Sequence, residues 1–259
     1  MTKNDIILST MADCLGYIEH YRLDYDALPF FQFLRNEEFE PLERLQFSKC
    51  MAPFIMGFKD LNRDFLRVET HLNPVQAIVN KHTYEDDHHW PWFLEDLEKL
   101  GFNDGTSFTQ NLAFLWGPET HASRSLTYQL AGMASLAEPI VKLAMVEAIE
   151  ATGEVLFRCL LPIATQLEQV LNTELRYFGH HHFQRETGHA VNQNGSVCIH
   201  AIALSSTQGQ KAKATIDRVF ELFENWTQEL LSYSLTLQET RPTDAKAFHP
   251  FQLSNLKLS

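Results

Sequence analysis

The stretch His182-Phe183-Gln184-Arg185-Glu186-Thr187-Gly188-His189 has the form H-x3-E-x2-H. On an α-helix, residues at i, i+4 and i+7 share one stripe about two turns long. Two imidazoles and a carboxylate on that stripe are half of a first-row transition-metal site. The plainer alternative is a polar helix face turned to water. Burial of such a face without a counter-charge would be costly, because an unpaired carboxylate resists leaving water.

A second window repeats the residue types. His82, His88 and His89 lie around Glu85, so that seven of the 12 histidines occupy two short segments. Glu85 and His88 are at i and i+3, and Glu85 and His89 at i and i+4. Helical bundles that hold two metal ions use Glu-x-x-His pairs and single inward-pointing glutamates. Two divalent cations repel one another and need several anionic oxygens, while imidazoles fill the remaining positions and leave room for a ligand. A solvated polar run would look similar. A third source of carboxylate is Glu147, Glu150 and Glu154, which share a stripe in an otherwise apolar segment. An exposed face would show the same stripe, and the residues alone leave all three open as ligands.

Helices must position these groups. Gly and Pro number 11 and 10, and strand-like alternation is scarce. Apolar periodicity predicts helices over about 5–20, 41–58, 74–100, 108–116, 122–136, 139–171, 172–189 and 208–237. Pro29 punctuates a connection over 26–33 that leads into a further turn or helix. Pro91 should kink or break the 74–100 helix just after His89, and Pro162 should kink the 139–171 helix. Gly101 suits a helix C-terminus. Residues 191–196 read as a polar break and the tail from Arg241 as irregular. No Gly/Ser/Pro-rich linker or internal repeat divides the chain, so 1–259 is expected to form one all-α domain.

Composition narrows the function classes. The 259 residues are 44% hydrophobic and 21% charged, ordinary for a globular fold. A formal charge of -12 without a basic cluster argues against a nucleic-acid surface. No run of 18 or more apolar residues suggests a membrane span. The scattered Cys14, Cys50, Cys159 and Cys198 form no CxxC, and no signal peptide is evident; both point to reduced thiols and a cytoplasmic protein.

Taken in order, the motifs over about 70–235 resemble the haem-oxygenase-like di-metal oxidases and oxygenases, within the TenA-like and PqqC-like superfamily of iron-containing redox enzymes. Glu85 to Leu97, with its E-D-x-x-H-W and W-F-L-x-D-L runs, looks like the family's first ligand helix. Ala148-Ile149-Glu150, 32 residues before His182, looks like the segment that supplies the central glutamate. His182, Glu186 and His189 match the last motif, where the family more often has Asp at the middle position. The resemblance implies a haem-oxygenase-like helical bundle and two Fe ions, with a manganese–iron pair as an alternative, held by Glu85, His89, Glu150, His182, Glu186 and His189. His88 and Glu147 are secondary candidates. It further implies O2 as co-substrate, oxidation of a small organic substrate, a separate reductant, and a homodimer, since the superfamily often pairs.

Two other readings stand beside this one. TenA-like hydrolases of pyrimidine or thiamine-type heterocycles are metal-free and use a nucleophilic cysteine, for which Cys159 and Cys198 are the candidates. Such a thiol needs a lowered pKa and a partner, and no activating motif surrounds either. A non-enzymatic metal- or partner-binding helical protein is the third reading. A haem oxygenase would need an early axial histidine, and nothing around His20 recommends it.

Overall fold

A computed structural model describes residues 6–70, 73–103, 105–189 and 199–239, without the side chains of 185–189. Among these residues the chain is all α-helical, and its one β contact is an isolated antiparallel bridge between Thr10 and Ala203. Expectations for 191–196 and for the tail beyond Arg241 lie outside the described residues, as does Cys198.

The first helix, α1 (Met11–Asp26), begins later than periodicity suggested. Thr10 and Asp13 form a capping box that defines its start: the Asp13 N–H donates to Thr10 Oγ1, and the Thr10 N–H to the Asp13 carboxylate. Helix α2 (Pro29–Arg35) follows Pro29 at its first turn. The expected 41–58 helix is two, α3 (Pro41–Arg44) and α4 (Ser48–Asp60), and α4 runs on into a π-helical turn over Leu61–Leu66.

The expected 74–100 helix is also two: α5 (Pro74–Asp86) and α6 (Trp90–Lys99). The break comes before His89 rather than after it. Pro91 lacks the N–H that a continuous helix would need there, but a first turn does not use that donor, so the helix restarts at Trp90. α6 ends in a Schellman motif. Gly101 takes φ 75°, its N–H donates to the Glu98 carbonyl at 3.0 Å, and the Phe102 N–H donates to the Leu97 carbonyl at 2.9 Å.

Helices α7 (Phe108–Leu115) and α8 (His121–Leu136) lead to α9 (Pro139–Leu171). α9 passes through Pro162 as one element and ends at Asn172, in the left-handed conformation at φ 50°. It is the axis of the fold, with residues such as Leu143, Ala144, Val155 and Leu160 fully buried. α1, α5, α10 (His180–His189) and α11 (Ser206–Glu239) pack around it. The expected 172–189 helix exists only in its second half, because residues 173–179 form turns held against α6. No helix among the described residues is long and apolar enough to cross a membrane.

Candidate metal centre

His89 and His182 come from different helices and meet. His182 lies in the first turn of α10 and is buried, and His89 is the buried residue that opens α6. His182 Nε2 stands 3.0 Å from His89 Nδ1. His182 Nδ1 is 3.0 Å from the Tyr177 carbonyl. That oxygen can only accept, so Nδ1 is the donor, and the tautomer this contact selects has its lone pair on Nε2. A backbone carbonyl on the remote nitrogen is the orientation a metal-ligating histidine uses.

Aromatic rings fix both imidazoles. His89 stacks on Trp92 at 4.6 Å between centroids, and His182 meets the Phe157 ring edge-on at 4.1 Å. The carbonyl that receives His182 is itself held. The Asp96 carboxylate, fully buried, accepts the backbone N–H groups of Arg176, Tyr177 and Phe178 at 3.0, 2.7 and 3.1 Å. Burial raises the Asp96 carboxyl above its usual range, and these N–H groups with Lys99 only partly offset it.

The two histidines line a cavity of about 70 Å³ between α4, α9 and α11. Phe54, Phe58, Leu156, Phe223 and Trp226 make its apolar wall, and Asp86, Glu150 and Lys59 add charge. Gly153, one turn after Glu150, also lines it.

The expected ligands therefore separate. Glu150, His89 and His182 share the cavity. Glu147 does not line it but stands 3.8 Å from His82. Glu154 turns outward to Arg22 and Arg158 at 3.7 and 3.8 Å. His88 is exposed, with Nδ1 3.4 Å from the Asp87 carboxylate. Glu85 is half-buried and is absent from the cavity wall, where Asp86 takes its place. The side chains of Glu186 and His189 lie outside the described residues. His180 is exposed and bonds Gln184 at 2.8 Å, and His181 lies edge-on to Trp92 at 4.7 Å.

Asp86 lines the cavity although no sequence motif singles it out. Of His82, Asp86 and His89, only His82 and Asp86, at i and i+4, share a helix, because α5 ends before His89.

The chemistry of this donor set suits a metal. A separation of 3.0 Å between two nitrogens is a hydrogen-bond distance, and it is also the distance between neighbouring ligands of an octahedral ion with bonds of about 2.1 Å. Among the described residues, no three His, Cys, Asp or Glu side chains already form a group able to hold an ion.

Among the described residues, the cysteines offer little to a hydrolytic nucleophile. Cys14, Cys50 and Cys159 are buried free thiols, and none lines the cavity. Burial pushes Cys14 up to about 11. Burial also raises Cys159, against the opposing pull of Arg35, whose Nη2 donates to Sγ at 3.2 Å. A thiol so shifted holds little thiolate near neutrality. Comparison of the chain with protein-family models and with curated proteins finds no match to either.

Proposed function

We propose that this protein is a non-haem di-iron oxidase or oxygenase of the haem-oxygenase-like type, with O2 as co-substrate and a small organic molecule as substrate. The observation that carries the reading is the His89–His182 pair, buried at 3.0 Å in an aromatic-walled cavity that also holds Glu150. A manganese–iron pair satisfies the same donors, since N/O ligands do not select among these ions by affinity alone.

His89, Glu150 and His182 would hold the metal, together with Glu186 and His189 from the same stripe as His182. Bound iron would supply the electrons that activate O2. The protein's own part is orientation and exclusion. Tyr177 keeps the proton of His182 on Nδ1, which leaves Nε2 to coordinate. Trp92 and Phe157 stop the imidazoles from turning. Phe54, Phe58 and Phe223 keep water from the reacting end of the substrate and offer it an apolar surface. At about 70 Å³ the cavity is far smaller than the roughly 300–1,000 Å³ of an ordinary ligand pocket, so it would admit O2 or the tip of a substrate, with the rest of that molecule outside it.

Anaerobic Fe(II) titration followed by rapid mixing with O2 tests the reading. Uptake of about two irons per chain and a transient visible absorbance band, both lost in His182→Ala, are expected. Absence of iron uptake by the wild type would overturn it.

A further inference from the structure

We infer that a cleft between α1 and α11, away from the histidine cavity, binds a small organic ammonium ion that carries N–H donors. The inference does not rest on the metal reading, because the two sites share no lining residue.

The cleft has a volume of about 360 Å³, within the range of ordinary small-molecule sites. Asp24 from α1 and Asp217, Glu221 and Glu224 from α11 bring four carboxylates to its wall. Among the described residues, no lysine, arginine or histidine lines it. Lys213 and Arg218 reach Asp217 and Glu221 from outside that wall, at 3.0 and 2.6 Å. A cleft lined by charge of one sign concentrates counter-ions. Tyr21, Tyr25 and Phe220 supply an aromatic floor: Tyr21 stacks on Phe220 at 4.9 Å between centroids, and Tyr25 meets Phe220 edge-on at 5.9 Å.

Carboxylates alone would make a solvated face, and Tyr25 is what distinguishes this one. Tyr17, Tyr21 and Tyr25 recur every four residues on α1. The Tyr17 and Tyr21 hydroxyls both donate to Asp217 Oδ1, at 2.7 and 2.8 Å. Tyr25 is 4% exposed and lines the cleft, and its hydroxyl has no hydrogen-bond partner among the described residues. A hydroxyl withdrawn from water and left unpaired is costly, and a ligand in the cleft relieves that cost. Burial, with Cys159 and Glu224 nearby, holds the hydroxyl protonated, well above the ordinary 10. A neutral hydroxyl offers lone pairs to an ammonium N–H. The rings take the methylenes of an alkylamine and favour its charge. A bare metal ion would leave the rings unused, and a quaternary ammonium would leave Tyr25 unpaired. A protonated alkylamine uses carboxylates, rings and hydroxyl together.

Isothermal titration calorimetry of the full chain with 1,4-diaminobutane tests the inference, with 1,4-butanediol as the uncharged control. The wild type should bind a single diamine saturably and should not bind the diol. Tyr25→Phe, which keeps the ring, should weaken diamine binding about 10-fold. The double variant Asp24→Asn/Glu224→Gln, altered at two exposed positions, should weaken it by about 10-fold or more. MgCl2 equimolar with the diamine should not displace it. Far-UV circular dichroism checks that each variant is folded. No saturable binding by the wild type, wild-type affinity in either folded variant, or displacement by equimolar Mg2+ would each overturn the site. So would loss of diamine binding in His182→Ala, which would place the amine in the histidine cavity instead.

Discussion

Tyr177 links two hydrogen bonds through one peptide group's neighbourhood: its N–H donates to the buried Asp96 carboxylate at 2.7 Å, and its carbonyl accepts from His182 Nδ1 at 3.0 Å. The turns before α10 are thereby tied to α6, whose first residue is preceded by His89. The two helices that present the histidines are held in register by a carboxylate that touches neither ring.

Asp96→Asn should therefore damage both stability and metal binding. The amide would face backbone donors with its own NH2 and leave at least one of them unsatisfied in the interior. A loss of about 2–3 kcal/mol is expected, read by chemical denaturation. Fe(II) affinity should fall at least 10-fold in the folded fraction, because His182 loses its fixed orientation. Unchanged affinity would show that the Tyr177 turn does not position the site.

His88 and His89 should behave oppositely. His89→Ala should abolish uptake of at least one Fe(II), whereas His88→Ala should retain wild-type metal content. The reason is placement: His89 is buried against His182, and His88 is exposed beside Asp87. Elemental analysis of protein loaded anaerobically decides the matter.

Gly179→Ala should destabilise the turn that leads into α10. A Cβ at this position would collide with the Leu175 carbonyl oxygen and with Glu168 Oε1. The same Glu168 oxygen accepts the Leu175 N–H at 2.8 Å, so it cannot move without releasing that bond. Thermal denaturation should show a clear fall in Tm, at a cost of about 1–3 kcal/mol.

Asp217 predicts a pH dependence away from the site. Burial raises its carboxyl, but the Tyr17 and Tyr21 hydroxyls, at 2.7 and 2.8 Å, and Lys213 outweigh that and hold it below the ordinary 3.8. The folded state therefore binds its proton less readily than the unfolded chain. Its contribution is present above about pH 4 and is lost as pH falls through the depressed folded value. Denaturation curves of Asp217→Asn should lose part of the acid-side decline seen in the wild type. An identical decline in both proteins would assign it to other carboxylates.

Cys159→Ala should leave O2-dependent turnover and metal content within about twofold of wild type, since the thiol is buried away from the cavity. A complete loss of activity with metal binding intact would favour the hydrolase reading.

Much of the architecture was legible because helices are local. The period of apolar residues, Pro139 at a first turn and Gly101 past a last one mark their own elements. The break between α5 and α6 shows where local reading fails. Taking α5 through His89 makes Glu85 and His89 an i, i+4 pair. Ending it at Asp86 resets the helical phase, and Asp86 faces the cavity instead.

The sequence alone determined that histidines and carboxylates recur at ligand spacing on helices, because such spacing depends only on 3.6 residues per turn. Only the tertiary structure decided which of them meet. His89 and His182 are 93 residues apart in the chain. Their contact depends on how α6 and α10 pack beside α9 and on the Asp96 tether, and no local pattern encodes a long-range hydrogen bond. The same packing turned Glu150 inward and Glu154 toward Arg22 and Arg158, although both lie on one apolar helix.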